Sequence, residues 1–117
     1  MRSKFEEAFA RDLEKRKIKY EYEPEALEYI RHYIPDFKLT CRSGRVLYIE
    51  TKGHLKSSDR TKMLSVRRTN PDLDIRIIFQ RATERLSSKS KTTYGEWATA
   101  NKFKWAEGTL PKEWINE

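Results

Sequence analysis

The chain has 117 residues, a formal net charge of +7 and a pI near 9.6, which indicates one small basic domain spanning residues 1–117. The single cysteine, Cys41, excludes an intramolecular disulfide and a cysteine metal cluster within one chain. Without a membrane-span or signal-type apolar run, we expect a cytoplasmic protein that does not bind membranes. The positive charge favours a polyanionic partner, nucleic acid first, although it also fits a simple role in solubility.

The N-terminal third begins with a predicted helix over residues 5–16, where apolar side chains recur at helical spacing. Ser3 and Glu6 match a capping box at its start. The alternation in KIKYEYE predicts a strand at residues 17–23. The next segment, PEALEYIRHYI, fits a helical turn, an irregular connection or a bridge between subunits.

The middle of the chain predicts a β-hairpin, with strands at residues 36–41 and 46–51 and Gly44 in the turn. A second helix is predicted from Ser57 or Ser58 to Thr69, before the helix-breaking NPD. The next segment, LDIRIIF, reads as a buried strand that lies parallel to a neighbour, because a helix precedes it.

The last third begins with a polar, basic loop over residues 80–92. Thr93 and Glu96 form a second capping-box pattern, which predicts a helix to about Asn101, and LPKEWI suggests a short final helix. The resulting order, α-β-β-β-α-β-α, predicts an α/β fold in which helices flank a mixed central sheet.

Two acids and a lysine stand out in the hairpin. Asp36 follows a proline at the start of the first strand, while Glu50 and Lys52 share one face of the second. A suitable register brings Asp36 to the same place, and two converging carboxylates suit Mg²⁺. Lys52 would then orient or deprotonate a water, or balance charge on a phosphate. The alternative is a surface hairpin with an ordinary Glu50–Lys52 ion pair.

The segments PDF and IETKG resemble the PD-(D/E)xK nuclease superfamily. Over nearly the whole chain, the order of KIKYEYE, YIPDF, ETKG, NPDLDIRIIF, TTYGEW and LPKEWI is similar to the phage endonuclease I family. The resemblance implies a restriction-endonuclease-like core and Mg²⁺-dependent cutting of four-way DNA junctions by paired nicks, with Mn²⁺ as a substitute, inside an infected bacterium. It assigns catalysis to Glu6, Asp36, Glu50 and Lys52, and metal binding to the three acids.

Glu6 has an alternative role, because its position in the capping box suits helix capping, and Glu7 is a competing acid beside it. The resemblance also implies a homodimer that exchanges N-terminal elements. The connection before YIPDF is shorter than the bridge expected of the family, so an unswapped dimer or a monomer stays open.

Two groups of basic residues are expected to contact DNA. One begins the second predicted helix, where free N–H groups favour phosphate, and the other lies in the loop over residues 80–92. The loop also fits an ordinary solvated surface. The residues are Lys56, Arg60, Lys62, Arg81, Arg85, Lys89 and Lys91.

Three functions therefore follow from the sequence. The first is a junction-resolving, metal-dependent endonuclease. The second is a homing-type or restriction-type endonuclease, or a nickase, that acts on linear duplex DNA with the same chemistry. The third is a DNA-binding protein without catalysis, which the presence of Asp36, Glu50 and Lys52 argues against.

Overall fold

The computed structural model describes residues 3–24, 26–27 and 31–117. The chain divides into two compact units, Met1–Arg31 and His32–Glu117. Part of the segment predicted as a turn, connection or bridge, residues 25 and 28–30, lies outside the described residues. In the described part of the chain, no helix combines the length and the apolar composition that crossing a membrane requires.

The first unit contains the predicted first helix, α1, Lys4–Lys15. Ser3 caps it, because its hydroxyl oxygen accepts the backbone N–H of Glu6 at 3.1 Å. Two aromatic side chains of α1 are largely exposed, with Phe5 at 81% and Phe9 at 57%. The helix therefore presents apolar rings that its own unit does not bury.

The strand predicted at residues 17–23 is absent, and that prediction was wrong. Lys17 has a φ of 56°, and the N–H groups of Lys17 and Ile18 bond to carbonyls in the last turn of α1, as in a Schellman motif. The hydroxyls of Tyr20 and Tyr22 then donate to glutamates of α1. A strand needs a neighbouring strand for its backbone groups, and none among the described residues pairs with this segment.

The second unit contains a four-stranded sheet whose spatial order follows the sequence. The first two strands form the predicted antiparallel hairpin, and the other two continue the sheet in parallel, so the predicted mixed sheet is confirmed. The last strand was not predicted, because three residues are too few to show an alternating pattern. The strands are β1 (Phe37–Thr40), β2 (Val46–Lys52), β3 (Ile75–Phe79) and β4 (Trp105–Glu107).

Helices flank this sheet as predicted: α2 is Ser57–Thr69, α3 is Tyr94–Ala100 and α4 is Lys112–Ile115. The observed order, α-β-β-α-β-α-β-α, replaces the predicted one, since one strand is absent before the hairpin, and both β4 and the suggested final helix, α4, follow α3. Apolar clusters lie on both faces of the sheet. One contains Met63 of α2 and Phe79 of β3, and the other contains Ile49 of β2 with Trp114 of α4.

Candidate active site

The hairpin register brings the predicted acids together. Glu50 and Lys52 point to one side of β2, because residues two apart in a strand share a face. Phe37 pairs with Ile49, so one step further along the hairpin places Asp36 opposite Glu50. The register that the sequence prediction required is therefore present, and the catalytic role of Asp36, Glu50 and Lys52 stays a prediction.

Asp36 is held by two hydrogen bonds from Thr51. Its Oδ2 atom accepts the backbone N–H and the side-chain hydroxyl of Thr51, each at 2.8 Å. The pKa of Asp36 lies below its usual range, chiefly because of the backbone N–H, with further contributions from the hydroxyl, Glu50 and Lys52 that outweigh desolvation. Asp36 is therefore an ionised, oriented carboxylate at the mouth of the site.

Glu50 differs from Asp36 because it is buried, with only 6% of its surface exposed. Its Oε2 atom accepts a hydrogen bond from the Tyr33 hydroxyl, and its Oε1 atom lies 3.5 Å from the Lys52 ammonium. Burial raises the pKa of Glu50 and the charge of Asp36 raises it further, while Tyr33 and Lys52 oppose the shift. A cation beside Asp36 and Glu50 would offset the unfavourable free energy of holding two carboxylates close together.

Tyr33 also lies at the site, although its sequence context predicted no role for it. Burial, followed by the bond to Glu50, raises the pKa of Tyr33 far above its usual range, so the hydroxyl remains a donor. The Lys62 ammonium lies 5.8 Å from the centre of its ring. In the sequence, the one indication of this role is that Tyr33 lies three residues before Asp36, in the segment that leads into β1.

Lys52 lies between two carboxylates. Its ammonium is 3.5 Å from Glu50 and 3.2 Å from Asp59, and 17% of its side chain is exposed. Asp59, which was not predicted from the sequence, lies in the first turn of α2 and accepts the backbone N–H of Lys56 at 3.1 Å. Burial raises the pKa of Asp59, but the Lys56 N–H and Lys52 outweigh it, so the net shift is downward. In the sequence, an acid at the third position of a predicted helix indicates only a helix cap.

Three basic residues at and after the start of α2 were predicted to contact DNA. Lys56 is exposed at the N-cap, while the Arg60 guanidinium turns back and donates to the Leu55 carbonyl at 2.8 Å. Lys62, also exposed, lies over the Tyr33 ring. The α2 group therefore combines two exposed lysines with an arginine that is partly engaged by its own backbone.

The basic loop over residues 80–92 starts at the same edge of the sheet, where the Gln80 N–H donates to the Lys52 carbonyl at 3.0 Å. The loop is closed by a bond from the Leu86 N–H to the Thr92 carbonyl at 2.9 Å. Arg81 lies 3.8 Å from Glu84 in an exposed ion pair. The predicted DNA-contacting side chains of this loop are all exposed: Arg81, Arg85, Lys89 and Lys91.

Glu6 lies in the first unit, apart in sequence from the other three predicted catalytic residues. Its Oε2 atom accepts a hydrogen bond from the Tyr22 hydroxyl. Within residues 3–24, 26–27 and 31–117, no three or more His, Cys, Asp or Glu side chains are grouped closely enough to hold a metal. The metal-binding role of Glu6 stays a prediction from the resemblance.

Comparisons with known proteins identify the family of this chain. The family model for phage endonuclease I matches residues 1–117. "Endonuclease I" of Escherichia phage T7 is 39% identical over 121 residues, which cover 99% of this chain and 78% of that protein. "Endodeoxyribonuclease 1" of Enterobacteria phage T3 is 36% identical over 121 residues, covering 99% of this chain and 77% of the relative. The chain therefore belongs to the phage endonuclease I family, a family of endonucleases.

Proposed function

We propose that this protein hydrolyses phosphodiester bonds of branched DNA in the presence of Mg²⁺, and resolves four-way junctions by paired nicks. The observation that carries the chemistry is the convergence of Asp36, Glu50 and Lys52 at the end of β2. The family supports cleavage inside a nucleic acid strand, and the names of the two relatives support DNA as the polymer. The preference for a junction rests on the resemblance to the family.

The donor set fits Mg²⁺. Mg²⁺ in proteins usually takes one or two carboxylates and completes its shell with waters and substrate phosphates. Asp36 is exposed and its pKa is lowered, while Glu50 lies buried beside it with a raised pKa that a nearby cation would lower. Mn²⁺ prefers the same hard oxygen ligands. Glu6 is the proposed third acid, supplied by the same chain or by a second copy.

Each residue of the chain has a distinct role in this proposal. Asp36 and Glu50 would hold the cation, and a bound cation would supply activation of water and neutralisation of phosphate charge. Thr51 and Tyr33 fix the two carboxylates through the hydrogen bonds described above. The ammonium of Lys52 stabilises negative charge that develops on the attacked phosphate.

The surrounding charge supports DNA as the substrate. Exposed cations lie on α2 and on the loop that starts beside Lys52, so both sides of this sheet edge can contact phosphates. Phosphate contacts place a duplex without reading its sequence, which suits an enzyme that selects a branched shape. The proposed contacts are Lys56, Arg60, Lys62, Arg81, Arg85, Lys89 and Lys91.

We also propose that the active form is a homodimer. Paired nicks across a junction require two active sites that act together. The exposed Phe5 and Phe9 side chains of α1 support a second copy as a partner, because apolar rings gain free energy when an interface covers them. Light scattering would give twice the mass of one chain, and the double variant Phe5→Ser/Phe9→Ser should lower that mass.

The decisive experiment incubates the protein and Mg²⁺ with an end-labelled four-way junction and, separately, a linear duplex of the same sequences. We expect symmetric cuts in the junction, none in the duplex, and no cleavage by Asp36→Ala or Lys52→Ala. Asp72→Ala and Lys112→Ala are matched controls, because both residues are exposed and lie outside the site. Cleavage of the duplex instead would replace junction selectivity with site-specific cutting, and binding without cleavage in Mg²⁺ or Mn²⁺ would overturn the nuclease assignment.

A further inference from the structure

Asp59 links the start of α2 to the catalytic lysine. Its Oδ2 atom accepts the Lys56 N–H at 3.1 Å, and its Oδ1 atom lies 3.2 Å from the Lys52 ammonium. The first bond satisfies one of the free N–H groups at the start of a helix. It also fixes the carboxylate, so that the second oxygen points at Lys52 from a rigid element.

Lys52 needs such a partner. A lysine side chain has four rotatable carbon–carbon bonds, and ordering it costs free energy. Glu50 lies 3.5 Å from the ammonium, farther than Asp59, and its carboxylate is also the proposed ligand of the cation. Asp59 is not one of the proposed metal ligands, and its other oxygen already accepts the Lys56 N–H at the start of α2. It can therefore hold the ammonium without taking a carboxylate away from the cation.

We propose that Asp59 is a positioning residue, which holds the Lys52 ammonium beside the two-carboxylate site and lets Glu50 serve the cation. The inference rests on the proposed function, since it assigns Lys52 to catalysis. Asp59 itself touches neither DNA nor the reacting atoms in this scheme. Removing its charge should therefore slow the chemical step and leave DNA binding intact.

The test compares Asp59→Asn with the wild type in single-turnover cleavage of a four-way junction in Mg²⁺. An asparagine oxygen still accepts the Lys56 N–H, but its neutral amide no longer holds the ammonium. We expect the cleavage rate to fall about tenfold to a hundredfold, as misplaced catalytic groups generally cause. Junction affinity, measured with Ca²⁺ in place of Mg²⁺, and the thermal unfolding midpoint should stay close to wild type.

Glu96→Gln is the matched control for helix capping. Glu96 accepts the Thr93 N–H at 3.1 Å at the start of α3, the same bond that Asp59 makes in α2, and it is exposed. Glu96→Gln should cleave at the wild-type rate. The proposal would be overturned if Glu96→Gln lost as much cleavage rate as Asp59→Asn. It would also be overturned if Asp59→Asn lost as much junction affinity as cleavage rate, because either result would give Asp59 a purely structural role.

A second readout does not need cleavage. ¹³C relaxation of the Lys52 ε-methylene, assigned with Lys52→Arg, should show an ordered side chain in the wild type and disorder like that of the exposed Lys56 in Asp59→Asn. An unchanged order parameter would overturn the inference.

If wild-type protein cleaves and Asp59→Asn cleaves equally well, only the role of Asp59 fails. If wild-type protein cleaves no DNA, the proposed function fails, and relaxation still tests whether Asp59 orders Lys52.

Discussion

Thr51 directs two hydrogen-bond donors at one oxygen of Asp36, its backbone N–H and its hydroxyl, each 2.8 Å from Oδ2. β2 therefore carries Glu50 and Lys52 on one face, and Thr51, which lies between them in sequence, orients the acid that precedes the neighbouring strand. The two donors fix the plane of the carboxylate that the proposed cation needs.

We expect Thr51→Val to weaken metal binding. Valine keeps the β-branched shape and the backbone N–H but lacks the hydroxyl, so Asp36 loses one of its two anchors. Loss of such outer-shell partners typically costs about tenfold to a hundredfold in metal affinity or activity. The Mg²⁺ concentration for half-maximal cleavage should rise accordingly. Thr51→Ser, which keeps the hydroxyl, should resemble the wild type, and identical Mg²⁺ curves for all three proteins would contradict this role.

The two carboxylates should affect stability in opposite directions when no metal is present. The pKa of Glu50 is raised, so its contribution to stability is present at low pH and lost as pH rises through the folded-state value. The pKa of Asp36 is lowered, so its contribution is present at neutral pH and lost as pH falls through the folded-state value. At neutral pH, Glu50→Gln should therefore raise the unfolding midpoint, and Asp36→Asn should lower it.

Thermal unfolding in a chelator, followed by titration of Mg²⁺, measures this contrast. Wild-type protein should gain stability as Mg²⁺ is added, because a ligand that binds only the folded state stabilises it. Both variants should lose that gain, since each removes a proposed ligand. Two variants that shift the metal-free midpoint in the same direction would show that the charges of Asp36 and Glu50 do not oppose each other as described.

Tyr33→Phe should move the pH dependence of cleavage. The Tyr33 hydroxyl lowers the pKa of Glu50, so its removal raises that pKa further and keeps Glu50 protonated to higher pH. The acidic limb of the single-turnover rate profile should shift toward alkaline pH. Tyr48→Phe is the control, because Tyr48 is a partly buried tyrosine of β2 without a bond to Glu50 among those described. Superimposable profiles for Tyr33→Phe and the wild type would remove Tyr33 from the site.

The hairpin could be predicted because local signals agreed. Gly44 has a φ of 92° in the turn, and alternating apolar residues on β2 left one face for Glu50 and Lys52. The register then followed, and with it the meeting of Asp36 and Glu50. The neighbouring positions of Asp36, Glu50 and Lys52 could therefore be predicted from sequence, while their catalytic role, like that of Glu6, stays a prediction.

What the sequence did not reveal depends on distant contacts. KIKYEYE alternates like a strand, but pairing requires a neighbour, and no described strand provides one. Asp59 and Tyr33 become site residues only because α2 and the approach to β1 fold over the end of β2. No local sequence pattern predicts either contact. From the sequence alone, Asp59 is an acid at a helix start and Tyr33 a tyrosine shortly before a proline, and both are common in ordinary structure.

The buried Arg76 should be a main source of stability for the second unit. Its side chain is inaccessible to solvent, and its Nε and Nη2 atoms each donate to Asp74 at 2.8 Å. Glu117 accepts two further bonds from the same guanidinium. Asp74→Asn should lower the free energy of unfolding by about 1.5–3 kcal/mol, the usual range for hydrogen bonds to charged groups.

Denaturant unfolding as a function of pH tests that role. Hydrogen bonds from Arg76 are the largest cause of the lowered pKa values of Asp74 and Glu117. Their contribution is therefore present at neutral pH and lost as pH falls through the folded-state pKa values. The difference between wild type and Asp74→Asn should shrink in acid. A constant difference at every pH would mean that packing, and not the ion pair, accounts for the change.

Gly95 of the TTYGEW segment should not tolerate a side chain. A Cβ atom at Gly95 would lie 2.7 Å from the Trp105 ring, and a bond from the indole Nε1 to Thr99 at 2.8 Å holds that ring in place. Alanine would favour the helix by about 0.5–1 kcal/mol, but overpacking costs about 1–3 kcal/mol. Gly95→Ala should therefore lower the free energy of unfolding. Trp105→Phe in the Gly95→Ala background should recover part of that loss, and a fully additive double variant would show that the ring is not the obstacle.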